Sequence, residues 1–135
     1  GGNMAFLKTL IGRKKRVEAI ALGNALAQTT HLAIGNGGLE IDGVTPKNIS
    51  GTATTLFSEI KRKPVVVNKI NDYTYELYTE FDATTTDPDL IGDTINEAGL
   101  IDSEGDFVYL ETFNLFASSL PSNFKDKHVI TIQMV

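Results

Sequence analysis

The segment Ile95-Asn96-Glu97-Ala98-Gly99-Leu100-Ile101-Asp102-Ser103-Glu104-Gly105-Asp106, continuing into Phe107-Val108-Tyr109-Leu110, decides how this chain is read. Its middle has turn chemistry. Asp102 and Ser103 can hydrogen-bond their own backbone, and Gly105 can adopt positive φ. The flanks, Leu100-Ile101 and Phe107 to Leu110, are apolar enough to be strands in a core. The segment therefore predicts a β-hairpin on which the other elements pack.

Downstream of it, Phe113-Asn114-Leu115-Phe116-Ala117 continues or leaves the return strand, and Leu120-Pro121-Ser122 breaks the pattern. Lys127 to Val135 predicts a closing strand. His128, Ile130, Ile132 and Met134 alternate with Val129, Thr131, Gln133 and Val135. Both faces are largely apolar, which suits a strand central in a sheet or buried at an interface.

Upstream, the polar run Asp82-Ala83-Thr84-Thr85-Thr86-Asp87-Pro88-Asp89 reads as a loop. Tyr73 to Phe81 alternates, with Tyr73, Tyr75, Leu77, Thr79 and Phe81 on one face. That period of two predicts a strand with one face inward and one wet. Val65-Val66-Val67 follows the boundary at Pro64, and Asn71-Asp72 fits a turn, so residues 64–81 predict an antiparallel hairpin. Residues 42–55 read as a long connection rich in Thr, Gly, Ser and Asn. Thr54 or Thr55 is expected to cap a short segment containing Leu56, Phe57 and Ile60, with Glu59 and Arg62 spaced to pair.

His31-Leu32-Ala33-Ile34 predicts a strand entering Gly35-Asn36-Gly37-Gly38. A glycine-rich loop after a strand raises the question of a phosphate cradle. Such a cradle needs a helix directly behind the loop, and Leu39-Glu40-Ile41-Asp42-Gly43 does not start one. Before it, Val17 to Gln28 predicts the main helix. It carries Ala19, Ala21, Ala25 and Ala27, shares a face between Leu22 and Leu26, and ends at Thr29-Thr30. Met4 to Ile11 predicts a short apolar helical segment, with Phe6, Leu7, Leu10 and Ile11 on one face and Gly12 as its interruption. Two readings fit the basic run Arg13-Lys14-Lys15-Arg16: contact with a phosphate, lipid head group or acidic partner, or a solvated turn.

One amino-terminal helix, a second short one at most, and five or six strands imply α+β. The expected architecture is an amino-terminal helix packed on a mainly antiparallel β-sheet or sandwich. Residues 1–16 are assigned to a vector-derived remnant (Gly1-Gly2-Asn3) plus an apolar and basic arm, and residues 17–135 to a single domain.

Composition agrees with this. A chain of 135 residues, 41% hydrophobic and 21% charged, fits one globular domain. It is long enough to bury roughly 65–70% of its unfolded surface. With no cysteine, disulfides and thiolate metal sites are excluded. No apolar run approaches the ~20 residues of a membrane helix, so no membrane insertion is expected. The net charge of −5 conceals an asymmetry: residues 1–16 carry Lys8, Arg13, Lys14, Lys15 and Arg16 without an acid. The remaining seven basic and seventeen acidic residues amount to −10. An acidic body with a basic arm is not the footprint of a nucleic-acid-binding domain.

Catalytic candidates are few. His31 and His128 each sit in an apolar strand pattern, and no Gly-x-Ser-x-Gly or His-Glu-x-x-His run occurs. Asp102, Glu104 and Asp106 alternate as calcium ligands do. The helix–loop–helix calcium loop, however, needs glycine at its sixth position, which is Phe107, and a terminal glutamate, which falls at Phe113. A solvated hairpin turn is the better reading. Asp82, Asp87, Asp89 and Asp93 lack a spacing that demands a cation. A carboxylate pair built on Glu97 with Asp93 or Asp102 is the remaining hydrolytic option, without a sugar-stacking tryptophan.

Several segments, in order, resemble the amino-terminal collar domain of bacteriophage tail fibres. These are the helix Val17 to Gln28; His31 to Gly37, a strand running into glycines; and Leu56-Phe57-Ser58-Glu59-Ile60-Lys61-Arg62, a leucine-x-x-glutamate segment with basic residues after it. The most diagnostic is Ile95 to Gly105, similar to the family's isoleucine-x-glutamate-x-glycine-leucine-x-aspartate turn. A closing apolar strand matches Val129 to Val135. The resemblance covers residues 17–135. The chain departs from it at Ile101, where the family usually has an aromatic or acidic residue, and in its basic run.

The resemblance implies a structural virion component of a phage or prophage tail, made in the bacterial host cytoplasm, that attaches a fibre to the tail or baseplate. It implies no enzymatic residues, no cofactor and no metal. Partners would be other tail or baseplate proteins, with a homo-oligomer, a trimer in particular, also expected. Glu97, Gly99, Leu100, Asp102 and Gly105 would be architectural: Glu97 satisfying backbone donors, Gly99 allowing a close approach. Phe6, Leu10, Arg13, Lys14, Lys15 and Arg16 would form the docking arm. The alternative is a carbohydrate- or receptor-binding module without catalysis, with Tyr73, Tyr75 and Tyr78 as its candidates.

Overall fold

The computed structural model describes residues 4–83, 85–90 and 94–114, and residues 123–131 as a backbone course. Gly1-Gly2-Asn3, Asp93, Leu115 to Ala117, the break at Leu120 to Ser122 and the last four residues of the expected closing strand lie outside the described residues.

One helix and eight strands are described, all strand pairings being antiparallel. In chain order they are β1 (Met4–Lys8), α1 (Leu10–Leu22), β2 (Thr29–Gly35), β3 (Glu59–Pro64), β4 (Val66–Asn71), β5 (Thr74–Asp82), a 3-10 turn (Pro88–Leu90), β6 (Glu97–Asp102), β7 (Phe107–Phe113) and β8 (Asn123–Thr131). They form a five-stranded sheet, β1-β7-β6-β2-β3, and a three-stranded sheet, β4-β5-β8. The chain is thus α+β or mainly β, with two antiparallel sheets.

The β6–β7 hairpin is the heart of the larger sheet, as the opening segment predicts. β6 is buried at every position because β7 and β2 flank it and side chains cover both its faces. On one face Ala98 and Leu100 join Leu32 and Ile34 of β2 with Leu77 and Phe81 of β5 in a single cluster, so β5 bridges the two sheets through the core. On the other face Ala33, Leu56, Ile101, Phe107 and Leu110 form a second cluster. The expected hairpin over residues 64–81 is β4–β5, and the inward face of β5 carries Leu77, Thr79 and Phe81.

Several expectations need correction at the amino-terminal end. Met4 to Lys8 is a strand, not a helix. Its backbone pairs with β7 from Met4↔Phe113 to Lys8↔Tyr109, because β7 offers an open edge whose main-chain groups this segment satisfies. Thr9 caps the helix that follows, its Oγ1 accepting from the Gly12 amide at 3.2 Å. Gly12 therefore lies inside α1 rather than interrupting it. The helix ends at Leu22, with Gly23 in the left-handed conformation at φ 71°, so it does not run over Val17 to Gln28. The division at 16/17 falls in the middle of this helix, and residues 4–16 are part of the body.

The Leu56 to Ile60 segment is not helical either. Glu59 opens β3, whose residues are held by pairing with β2, and the Glu59–Arg62 ion pair forms along the strand at 2.6 Å. Thr29-Thr30 begins β2 rather than ending a helix. β8 lies at the edge of the described three-stranded sheet, with β5 at its centre, so of the two settings expected for it, central in a sheet or buried at an interface, the first is not met among the described residues.

Candidate functional site

The sequence-predicted site residues fall into two polar nodes and one outward-facing surface. The first node is built on Glu97. Its carboxylate is fully buried at the start of β6. Oε1 accepts from the Phe57 amide at 2.7 Å; Oε2 accepts from Ser58 at 2.8 Å and Gly37 at 2.9 Å. Beside it Asn96 accepts from the Gly38 amide at 2.6 Å and donates to the Asn36 carbonyl at 3.3 Å. The two side chains thus stitch the glycine loop 35–38 and the 57–58 segment to the start of β6.

This node explains the glycines. A Cβ on Gly35 would meet the Ser58 carbonyl and Glu97 Oε2, and one on Gly38 would meet the Asn96 carbonyl. At Gly99 a Cβ would lie 2.7 Å from Phe107 Cδ1 and 3.0 Å from the Tyr109 carbonyl, since the Phe107 ring lies over the β6 backbone. Leu100 is a core residue of the same strand. A cavity of about 70 Å³ adjoins Glu97, lined by Ile49, Ala53, Leu56 and Leu110 among others. Small-molecule pockets typically run roughly 300–1,000 Å³. The oxygens of Glu97 are engaged by three main-chain donors. Asp102 stands at the far end of β6 from Glu97, in a different node.

The second node is the turn. Asp102 Oδ1 accepts from the amides of Glu104 (3.0 Å) and Asp106 (3.1 Å), and Gly105 has φ 87°. Lys15 of α1 reaches this turn. Its Nζ lies 2.7 Å from Asp102 Oδ2, 2.9 Å from Glu104 and 2.8 Å from Asp106. The three alternating acids therefore hold an ammonium group. Among the described residues, no group of three or more metal-ligating side chains is arranged to hold an ion. Burial works against the charged form of Asp102, but the Lys15 ammonium and the Asp106 and Glu104 amides outweigh it and hold its carboxyl below the ordinary carboxylate range. For Lys15 burial again opposes charge, and the hydrogen bonds to Asp102, Asp106 and Glu104 raise its pKa regardless.

The remaining residues of the expected docking arm point outward. Phe6 is 63% exposed and stacks on Tyr109, with ring centroids 6.3 Å apart. Arg13, Lys14 and Arg16 are exposed, and none makes an ion pair among the described residues. Leu10, Val17 and Ile20 are at least half exposed on the same outer side of α1, because the helix turns Gly12 and Lys15 towards the body. α1 buries none of its residues. The three tyrosines are not gathered: the pleat of β5 puts Tyr75 and Tyr78 on opposite faces, and only Tyr73 is largely exposed. No described helix is long and apolar enough to cross a membrane.

Sequence reasoning overlooked a third polar cluster, on Asp87. This buried carboxylate receives Lys61 at 2.8 Å, Lys63 at 2.9 Å, the Thr86 hydroxyl at 2.8 Å and the Asp82 amide at 2.9 Å. It ties the 82–90 loop to β3. Burial raises its pKa, but Lys61, the Asp82 amide, Lys63 and Thr86 together lower it well below the ordinary range. The alternation of Lys61 and Lys63 on one face of β3 was the available signal.

Comparison of the chain with family models, with curated proteins and with solved structures finds no match.

Proposed function

We propose that this chain is a non-catalytic structural module of a phage or prophage tail, acting in the attachment of a fibre to the tail or baseplate. The observation that carries the proposal is the Ile95 to Gly105 segment and its resemblance to the tail-fibre collar domain. The geometry supports an architectural use of that segment. Glu97 is spent on three backbone amides, Gly99 on ring-to-backbone packing, and Asp102 on closing a turn and holding Lys15. In this reading the two sheets form a collar-like body packed as a sandwich, with α1 at the start of β7. Docking within the tail, to other tail proteins or to further copies of this chain, uses Phe6, Leu10, Arg13, Lys14 and Arg16, while Lys15 serves the body.

Immunogold electron microscopy of particles induced from the source strain, with antibody raised against this domain, tests the proposal. Label at the tail end is the expected result. Intact, unlabelled tails with the protein free in the lysate would overturn it. Deleting residues 1–16 is not a suitable test, because it strips β1 from the sheet and Lys15 from Asp102.

A further inference from the structure

Two exposed surfaces of this molecule complement each other and cannot meet within one copy. The first is the outer side of α1, where the exposed Leu10, Val17 and Ile20 are interleaved with Arg13 and edged by Lys14 and Arg16. The second is the loop over residues 39–46. Its stem is closed by the Leu39–Pro46 bridge, and the Glu40 amide donates to the Thr45 carbonyl at 2.8 Å. Asp42 accepts from the amides of Val44 and Thr45 and from the Thr45 hydroxyl, so the tip is preorganised. That tip holds Ile41 fully in solvent and Val44 60% exposed, beside the exposed acids Glu40 and Asp42. The charge sign of this tip is opposite to that of the outer side of the helix.

The two surfaces lie at opposite ends of β7. The loop is tied to the strand's end, with Asn114 donating to the Val44 carbonyl at 2.9 Å and Thr112 to the Lys47 carbonyl at 2.7 Å. The helix packs at the strand's start, with Gly12 against Val108, and one turn later Lys15 reaches the 102–106 turn. From Val108 to Asn114 the strand rises about 20 Å at ~3.3 Å per residue, and α1 runs away from the loop.

We propose that the occupant of the α1 face is a second copy of this chain, the 39–46 loop of one copy seating on helix α1 of the next. Ile41 lies against Val17 and Ile20, and Glu40 and Asp42 face Arg13 and Arg16. The contact is heterologous, head to tail, so repetition closes a ring or extends a fibre. This names the partner of the face that the functional reading assigns to docking. It is tested on the purified chain alone, so its failure leaves the tail assignment to the labelling experiment.

The test is sedimentation velocity on the full chain at low and high salt, with two variants, Ile41→Ser on the loop and Arg13→Glu/Arg16→Glu on the helix. Unfolding curves matching the parent chain establish that both variants fold. The parent chain is expected to self-associate at low salt and to dissociate as salt screens the charges. Each variant alone is expected to be monomeric. Mixed, they retain one intact loop and one intact helix face, and are expected to form a one-to-one dimer and nothing larger. A parent chain that stays monomeric at low salt overturns the proposal, including the case in which it binds anionic lipid vesicles through Arg13 and Arg16 instead. So does self-association that both variants leave unchanged, or a mixture that remains monomeric.

Discussion

Lys15 Nζ lies 2.7 Å from Asp102 Oδ2, joining helix α1 to a turn 87 residues further along the chain. The contact turns a basic run that reads as an appendage into a fixed part of the body. One of its four cations is committed inward and three are left outward.

Replacing Lys15 with methionine leaves Asp102 buried with only its two turn amides, and Glu104 and Asp106 repelling each other. Lys15 keeps some access to water, with 18% of its side chain exposed, so the cost is below that of a fully buried pair, about 1–2 kcal/mol at neutral pH. Urea unfolding at pH 7 checks this, and Lys15→Arg should recover most of the loss. An equal loss at pH 3 would show that charge is not involved.

Asp87 and Asp102 both have carboxyl groups held below their ordinary range. A carboxylate whose pKa is depressed by folding stabilises the fold above its unfolded value of about 3.9. That contribution is lost as pH falls below it towards the folded value. Thermal stability should therefore decline on acidification below about pH 4. In Asp87→Asn the protein should be less stable at pH 7 and show a flatter acid limb, the two curves converging at low pH. Parallel curves would remove Asp87 from the acid response.

Glu97→Gln should destabilise the fold by about 1–3 kcal/mol, because a carboxamide has one accepting oxygen and the site offers three amide donors on two oxygens. In either orientation its NH₂ group faces a backbone N–H. Denaturant unfolding measures the loss, and amide hydrogen exchange at Gly37, Phe57 and Ser58 should speed up before the rest of the sheet opens.

Gly99→Ala places a methyl against the Phe107 ring and should cost about 1–3 kcal/mol by overpacking. Trimming the ring gives the methyl room, so Gly99→Ala/Phe107→Leu should lose less than the two single changes together. Strict additivity would mean that the ring is not what requires glycine at this position.

The β6–β7 and β4–β5 hairpins were legible because their signals are local: turn residues at Asp102 to Gly105 and Asn71-Asp72, and a period of two along β5. The helix was displaced because the alanines of 19–27 outweighed its own punctuation, Thr9 before it and Gly23 after it. β1 was hidden because its pairing partner lies more than a hundred residues away and its Phe6 faces solvent, so no burial pattern marks it. At the sites, the turn chemistry of Asp102 and the backbone role of Glu97 could be read from the motif. The lysine partner of Asp102 and the Asp87 cluster could not, since both are made by tertiary contacts between distant segments.

The pairing of β1 with β7 also governs how the chain is made. β1 finds its neighbour only when Tyr109 to Phe113 has been synthesised. Until β7 is made, β1 has no strand to pair with in the five-stranded sheet. A sheet whose edge strand is separated from its neighbour by more than a hundred residues of sequence has high contact order and assembles slowly. Its nascent form is the state most exposed to aggregation, and the one that chaperones of the cell producing it would meet.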